Sequence, residues 1–308
     1  MKKIFITGEE GCIARYLDRL LPKNEFKIVW GHSNKNNALV NFKSTWNKGL
    51  ELDICDYDLL KNAIIESDPD IIIHTAGFVD TVLCESEPKN AFLSNGYGAF
   101  NVAKICKERN IKLLYFSTTA IFDPIDYHGN MITNNTKITP KTIYGVTKYS
   151  GELICKSLLD NLIVVRPCFV YGGIEDGHSS ISRLIKSSIL KQDIKILLSN
   201  EYKKDFMRIE DLISAIIILL NLDIVGDFNI SLGQPKFFNE IVDILKTVTG
   251  ITPIFDLVPE KDYMKSHIVD NSDIKEFGWI PKISLEEGVK LSYLEIKNNL
   301  DEAFLRIF

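Results

Sequence analysis

Positive charge is in short supply. Thirty-six Lys+Arg face 41 Asp+Glu in a chain of 308 residues, a net charge of -5. A protein that neutralises nucleic-acid phosphates normally carries a basic face, so this balance argues against a nucleic-acid partner. Cysteine patterning is equally thin. The six cysteines (Cys12, Cys55, Cys84, Cys106, Cys155, Cys168) form no Cys-x-x-Cys pair, and most stand among apolar neighbours. They read as buried free thiols in a reducing compartment rather than a disulfide framework or zinc site. The five histidines lie apart from one another and from the cysteines, so no metal site is expected. The longest apolar stretch, Ala215 to Leu220 with its flanks, falls short of the ~20 residues needed to span a bilayer. The N-terminal apolar run stops at Gly8-Glu9-Glu10, too early for a secretory signal. A soluble, cytoplasmic protein without a membrane partner is the expectation. No internal repeat, low-complexity tract or linker is evident.

What is present is ordinary globular composition, 45% hydrophobic and 25% charged, at a length that suits one large domain or two intimately joined ones. The first half alternates short β-branched runs with longer periodic segments. Lys3–Thr7, Lys27–Gly31, Asp70–His74, Lys112–Ser117 and Leu162–Arg166 read as buried parallel strands. Between them Cys12–Leu21, Tyr57–Ser67, Pro88–Arg109 and Ile143–Leu159 carry helical spacing, with Asp56 a candidate N-cap. Repeated strand–helix units of this length predict an α/β, Rossmann-type doubly wound parallel sheet. The pattern loosens after Arg166. Gly172–Ser180 reads as a loop, Ile194–Leu198 as a strand, and Ile181–Leu190, Asp211–Leu222 and Phe237–Val248 as helices. The expected organisation is a dinucleotide-binding domain over residues 1–166, completed by about 206–230. Residues 167–308 would mainly form a smaller α/β substrate lobe closing over the first.

Gly8-Glu9-Glu10-Gly11-Cys12-Ile13-Ala14 follows the first strand directly and opens the first helix. Glycines there let backbone N–H groups approach a pyrophosphate, and the helix N-terminus adds a favourable dipole. Alone such spacing marks a tight turn; in this context a dinucleotide site is the better reading. Sites that choose NAD usually place an acidic residue ~20 positions on, against the adenosine ribose. No Asp or Glu lies between Phe26 and Leu50, and the second strand ends His32-Ser33-Asn34-Lys35. Those residues suit a 2′-phosphate, so NADP(H) is expected, with NAD the alternative. Asp53 and Ile54 would meet the adenine, and His74-Thr75-Ala76-Gly77 ends the next strand with small residues where a ribose needs close approach.

Tyr144 and Lys148 are four residues apart and share a helix face. An ammonium beside a phenol stabilises the phenolate, and such a tyrosine can exchange a hydroxyl proton as hydride moves at the same carbon. Ser117-Thr118-Thr119 closes the fourth strand, bringing hydroxyls to the carboxyl edge of the sheet.

With these residues in view, the chain resembles the extended short-chain dehydrogenase/reductase family, nearly end to end. The markers are the glycine turn, Asp53-Ile54, His74-Thr75-Ala76-Gly77, Asn95, Ser117-Thr118, Tyr144/Lys148, Arg166-Pro167 and Val170-Tyr171-Gly172. Lys204-Asp205-Phe206 with Asp211, and Asp270-Asn271-Ser272 followed by Phe277-Gly278-Trp279, complete the set. The resemblance implies action on a nucleotide-diphosphate sugar and a homodimer, often through the helix bearing Tyr144. It makes Thr118 the hydroxyl that bonds the substrate oxygen, Tyr144 the acid/base, and Lys148 the holder of the nicotinamide ribose. Asn95 and Pro167 would also meet the cofactor.

Within that family, 4,6-dehydratases carry Asp-Glu after the strand-end hydroxyl; Thr119-Ala120 here cannot do that work. Enzymes that epimerise before reducing use a Cys at the Ala120 position and a distant His, and His178 is out of register for it. Hydride transfer alone remains. Ser117-Thr118-Thr119-Ala120-Ile121-Phe122-Asp123 resembles the matching segment of dTDP-4-dehydrorhamnose reductases, and Phe169 replaces an Asn usual in epimerases. The expectation is an NADP(H)-dependent 4-keto-6-deoxy-sugar reductase. A 4-epimerase with tightly held NAD is the second reading, and a non-catalytic NADP-binding subunit the third. Lys204, Arg208, Lys261 and Lys265 are candidate diphosphate partners; Phe78, Val79, Thr119 and Phe122 are candidates for the sugar pocket.

Overall fold

The computed structural model describes residues 1–9, 11–32, 50–122, 131–173, 176, 179–191, 194–196, 203–253, 255–257 and 268–299. The chain opens β1 (Lys2–Thr7), α1 (Cys12–Leu20), β2 (Phe26–His32), β3 (Leu50–Glu51), α2 (Tyr57–Ser67), β4 (Ile71–His74), α3 (Thr81–Ser86) and α4 (Pro88–Phe92). A π-helical turn, Leu93–Gly98, leads into α5 (Ala99–Arg109), then β5 (Lys112–Phe116), a 3-10 turn at Thr119–Ile121, and α6 (Ile143–Leu158). Next come β6 (Leu162–Pro167), β7 (Phe169–Tyr171), α7 (Ser180–Leu190), β8 (Ile194–Ile196), β9 (Phe206–Arg208), α8 (Ile209–Asn221) and β10 (Gly226–Ile230). The remaining elements are α9 (Phe238–Thr249), β11 (Phe255–Leu257), α10 (Ser272–Lys275) and α11 (Leu285–Asn298).

Seven strands form one sheet in the order β3-β2-β1-β4-β5-β6-β10. β1 runs parallel to both its neighbours, with Ile4 level with Ile28 on one side and Ile71 on the other. The expected doubly wound α/β fold is therefore present. Its strands are buried because helices cover both faces, which is why they read as apolar runs without alternation. Ile4, Phe5, Ile6, Ile72, Ile73, Leu113, Leu114, Ile163 and Val164 are wholly enclosed. Strand order reverses between β1 and β4, the switch point where open sheets of this kind hold ligands.

Local signals explain the helix ends. Asp56 caps α2, its carboxylate accepting from the Leu59 N–H at 3.0 Å, as its position before an apolar-periodic segment implies. Asp80 caps α3 and Thr142 caps α6 in the same way. Pro88–Arg109, read as one helix, is instead α4, the π-helical turn and α5. The extra residue per turn has a tertiary cause, given below.

Contacts divide the chain into two compact units. One holds Met1–Phe122, Lys137–Arg166 and Ile216–Phe228; the other holds Asp123–Thr136, Pro167–Ala215 and Asn229–Phe308. In the first, Arg166 and Glu152 are buried together, Arg166 Nε lying 3.1 Å from Glu152 Oε2, with Asp227 and Lys156 joining them. In the second, Trp279 is enclosed and donates to the Asp211 carbonyl, while the Asp211 carboxylate accepts from the Lys282 and Ile283 N–H groups. No helix among the described residues is long and apolar enough to cross a membrane.

Candidate active site

Gly8 sits at the end of β1 with φ +78°, a conformation open to glycine. A Cβ there would lie 2.7 Å from both Cα and N of Ala76, so the β1 and β4 strand ends touch backbone to backbone. Gly11 is the N-cap of α1 and supplies no side-chain cap. The N-terminus of α1, at Gly11, Cys12 and Ile13, follows the glycine turn directly, the arrangement that takes a pyrophosphate. Ala14 is fully buried, as close helix–sheet packing requires.

The β4 end is braced from beneath. Thr75 Oγ1 donates to the Thr7 carbonyl at 2.5 Å, Ala76 N–H donates to Thr7 Oγ1, and Thr7 Oγ1 meets His74 Nδ1 at 2.7 Å. Asn95 is the next piece. Its Oδ1 accepts from Phe78 N–H at 2.8 Å, while its Nδ2 donates to the Phe78 carbonyl and to Thr147 Oγ1. Asn95 lies in the π-helical turn, and that wider turn aims its amide at both partners. A Cβ on Gly77 would fall 2.9 Å from Asn95 Oδ1 and 3.8 Å from Lys148 Nζ. Gly77 therefore lets the Asn95 amide close in where a side chain would stand, next to Lys148. Asp53 is exposed and bonds the Cys55 N–H, and buried Ile54 packs where a Cβ on Gly98 would stand.

Thr118 and Tyr144 meet through a hydrogen bond, and Thr118 Oγ1 also accepts from Ala120 N–H at 3.1 Å. Tyr144 is half-buried, and burial pushes its phenol up to about 12 despite the opposing effect of Thr118. Lys148 is buried, which pulls its ammonium down to about 8, with Cys155 and Glu152 opposing. Lys148 is expected to draw the phenol down, and burial pushes it the other way. Desolvation of the phenol outweighs it, and Tyr144 is held as an acid.

Other candidates fall elsewhere. Phe122 is buried in the core, 5.7 Å from the Arg166 guanidinium across its ring, and so does not line a pocket. Arg208 is also buried, engaged by Glu210, Glu295 and Ser292, an internal network in place of the expected open diphosphate contact. Within the second unit Lys204 and Phe169 come together, the Lys204 ammonium 5.3 Å over the Phe169 ring, itself 5.5 Å from Phe206. Thr119 is buried, Phe78 and Pro167 are half-buried, and Val79 is exposed. His32 is described by its backbone alone, level with Glu51 in β3, whereas Ser33, Asn34, Lys35, Lys261, Lys265 and His178 lie outside the described residues. Sequence reasoning missed Thr147, the second partner of Asn95, although its place next to Lys148 was visible. It also read Tyr115 only as strand core.

Residues 4–231 match the NAD dependent epimerase/dehydratase family. The chain belongs to that family. It is accordingly an NAD(P)-dependent oxidoreductase, and the glycine turn at Gly8–Gly11 opening α1, with buried Lys148, fits a nicotinamide dinucleotide. A putative UDP-glucose 4-epimerase of Methanocaldococcus jannaschii is 27% identical over 96% of this chain and 99% of its own length. Among solved structures, the UDP-glucose 4-epimerase of Thermotoga maritima with UDP-glucose superposes with a TM-score of 0.84 at 22% identity, covering 97% of this chain and 99% of its own. The dTDP-4-dehydrorhamnose reductase of Bacillus anthracis with NADP gives 0.80 at 22% identity, over 96% and 99%. Epimerase and reductase thus share this fold.

Proposed function

We propose that the protein reduces the 4-keto group of a nucleoside-diphosphate 4-keto-6-deoxy sugar, using NADPH, in the synthesis of activated sugars for surface polysaccharide. The observation that carries the reading is the pairing of the Tyr144 phenol with the Thr118 hydroxyl just past β5, on the helix that also carries buried Lys148. Such a pair is an acid waiting for a carbonyl oxygen. A reduced nicotinamide held at this site would supply the hydride for the carbonyl carbon. Thr118 and Tyr144 hold the carbonyl oxygen by hydrogen bonds, and Tyr144 transfers its hydroxyl proton to that oxygen as the C–H bond forms. Lys148, whose ammonium lies beside Gly77 at the end of β4, holds the ribose and offsets charge left on the phenol.

The choice of NADPH rests on the absence of an acidic residue between Phe26 and Leu50 and on Ser33, Asn34 and Lys35. The choice of reduction rests on the Phe122-Asp123 ending, on Phe169 and on the NADP(H) reading, while Thr119-Ala120 disfavours dehydration. In this reading the first unit is the cofactor domain and the second binds the sugar nucleotide, with Lys204 at the diphosphate. Exposed Phe92, Tyr97, Val146 and Leu153, on α4, the adjoining π-helical turn and α6, support a homodimer through this face.

The decisive assay follows NADPH absorbance with dTDP-, GDP- and CDP-4-keto-6-deoxyhexoses. Wild type should consume NADPH on one of them, and Tyr144→Phe should lose roughly 10²–10⁴-fold in kcat while still binding the dinucleotide. The second reading, a 4-epimerase, is favoured by the Methanocaldococcus relative. It predicts NAD released only on denaturation and exchange of 4-epimers without net cofactor use. A protein inert in both assays, with Thr118, Tyr144 and Lys148 intact, would point to the non-catalytic subunit.

A further inference from the structure

β5 places five consecutive buried residues in the sheet, and Tyr115 among them carries a polar atom into the core. A buried phenol needs a partner. Tyr115 Oη donates to the backbone carbonyl of Lys148 at 3.0 Å, so the ring is tied to that one residue of α6. The Lys148 ammonium lies 4.6 Å from the centre of the same ring, inside the ~6 Å within which a cation is attracted to an aromatic face. His74 lies tilted by 32° against Tyr115 with ring centres 5.7 Å apart and is itself held by Thr7.

The other titratable groups around Lys148 form no ion pair with it. On its own helix Tyr144 is a protonated phenol, Cys155 a thiol pushed up to about 12, and Glu152 is committed to Arg166 and Lys156. From β4, His74 is neutral, pushed down to about 3 chiefly by burial and then by Lys148. Among the described residues no carboxylate lies within ion-pair distance of Lys148. Beside the Glu152 charge, which lies beyond ion-pair distance, what this ammonium meets out of water is an aromatic face.

We propose that Tyr115 is a positioning residue for Lys148: its ring keeps the ammonium charged, and its hydroxyl fixes the backbone that carries it. The inference rests on reading Tyr144 and Lys148 as the catalytic pair, but its test needs no substrate. Cofactor-free protein labelled with [6-13C]lysine is titrated from pH 6 to 11, and the Lys148 signal is assigned by its loss in Lys148→Met. Tyr115→Phe keeps the ring and should leave the Lys148 midpoint within about 0.3 unit. Tyr115→Leu removes the ring face and should lower the midpoint by about one unit, a tenfold fall in the charged fraction above it. Trifluorophenylalanine at position 115 keeps the shape while weakening the ring's attraction, and should also lower the midpoint relative to Tyr115→Phe.

A purely space-filling Tyr115 would change stability in the leucine variant without separating the two phenylalanine proteins. Equal midpoints in the fluorinated and unfluorinated proteins would overturn the proposal, and this comparison holds even where Tyr115→Leu fails to fold. Absence of turnover on every keto sugar would defeat the proposed reaction and leave this titration as it is.

Discussion

Replacing Gly8 with alanine tests the nucleotide turn at its tightest point. Alanine pays a conformational penalty of roughly 1–2 kcal/mol at φ +78°. It also drives its methyl to 2.7 Å from Ala76 Cα and N, backbone atoms held because Thr7 and His74 pair in the β1–β4 register. Overpacking of that kind adds roughly 1–3 kcal/mol, giving about 2–5 kcal/mol altogether. With ~2.1 cal/mol/K of unfolding entropy per residue, each kcal/mol lowers Tm by about 1.5 °C in a chain of 308 residues. The expected loss is therefore about 3–8 °C in a thermal melt, together with at least about tenfold weaker NADPH binding by calorimetry, one decade being about 1.4 kcal/mol. Gly278 is the internal control. It has φ +83° and nothing within 4 Å of the place a methyl would take, so Gly278→Ala should lose only about 1.5–3 °C and bind NADPH normally. If Gly8→Ala melts no lower than Gly278→Ala and binds NADPH unchanged, the close approach of the two strand ends is not what the turn depends on.

Glu152→Gln leaves the buried Arg166 guanidinium with Asp227 as its remaining carboxylate, and should cost about 3 kcal/mol, or ~4–5 °C on the scale above. Asp211→Ala removes the acceptor for two N–H groups of the segment after Trp279; chemical denaturation should show a loss of roughly 2–4 kcal/mol. His74 is neutral in the folded protein down to about pH 3 but protonates near 6.5 when unfolded. Its contribution to stability is full above pH 6.5 and is lost as pH falls toward 3, by about 1.4 kcal/mol per unit. Denaturation of wild type and His74→Asn across pH 7 to 4 should show the variant losing less with acid; parallel curves would contradict a buried neutral imidazole.

The first half of the fold was legible because its strands are enclosed on both faces and its helices carry periodic apolar residues and side-chain caps. Asp56 capping α2 is a local signal read correctly from the sequence. The π-helical turn was not legible. Its width answers to Phe78 and Thr147, one 17 and the other 52 residues from Asn95, and no periodicity within Pro88–Arg109 carries that demand. Three-residue strands such as β7, β9 and β11 are too short to show any period. At the site, the Gly8 turn and the Tyr144/Lys148 spacing were visible because both are local. Arg208 misled for the opposite reason: Ser292 and Glu295, which engage it, lie 84 and 87 residues away. A separation of 33 residues from Lys148 hid Tyr115, since an apolar strand gives no sign of which helix its one hydroxyl will reach.

The edge of the large sheet has a consequence for how the chain is made. β6 ends at Pro167, and the strand that covers its free side, β10, begins only at Gly226. At ~5–20 residues per second of synthesis, the ribosome leaves that flank bare for about 3–12 s. A nascent protein with such an unpaired backbone ladder invites neighbouring chains to add to it. Chaperone engagement should accordingly peak while the residues between these two strands emerge, and a polypeptide halted at Arg166 should precipitate even though its nucleotide turn is already complete.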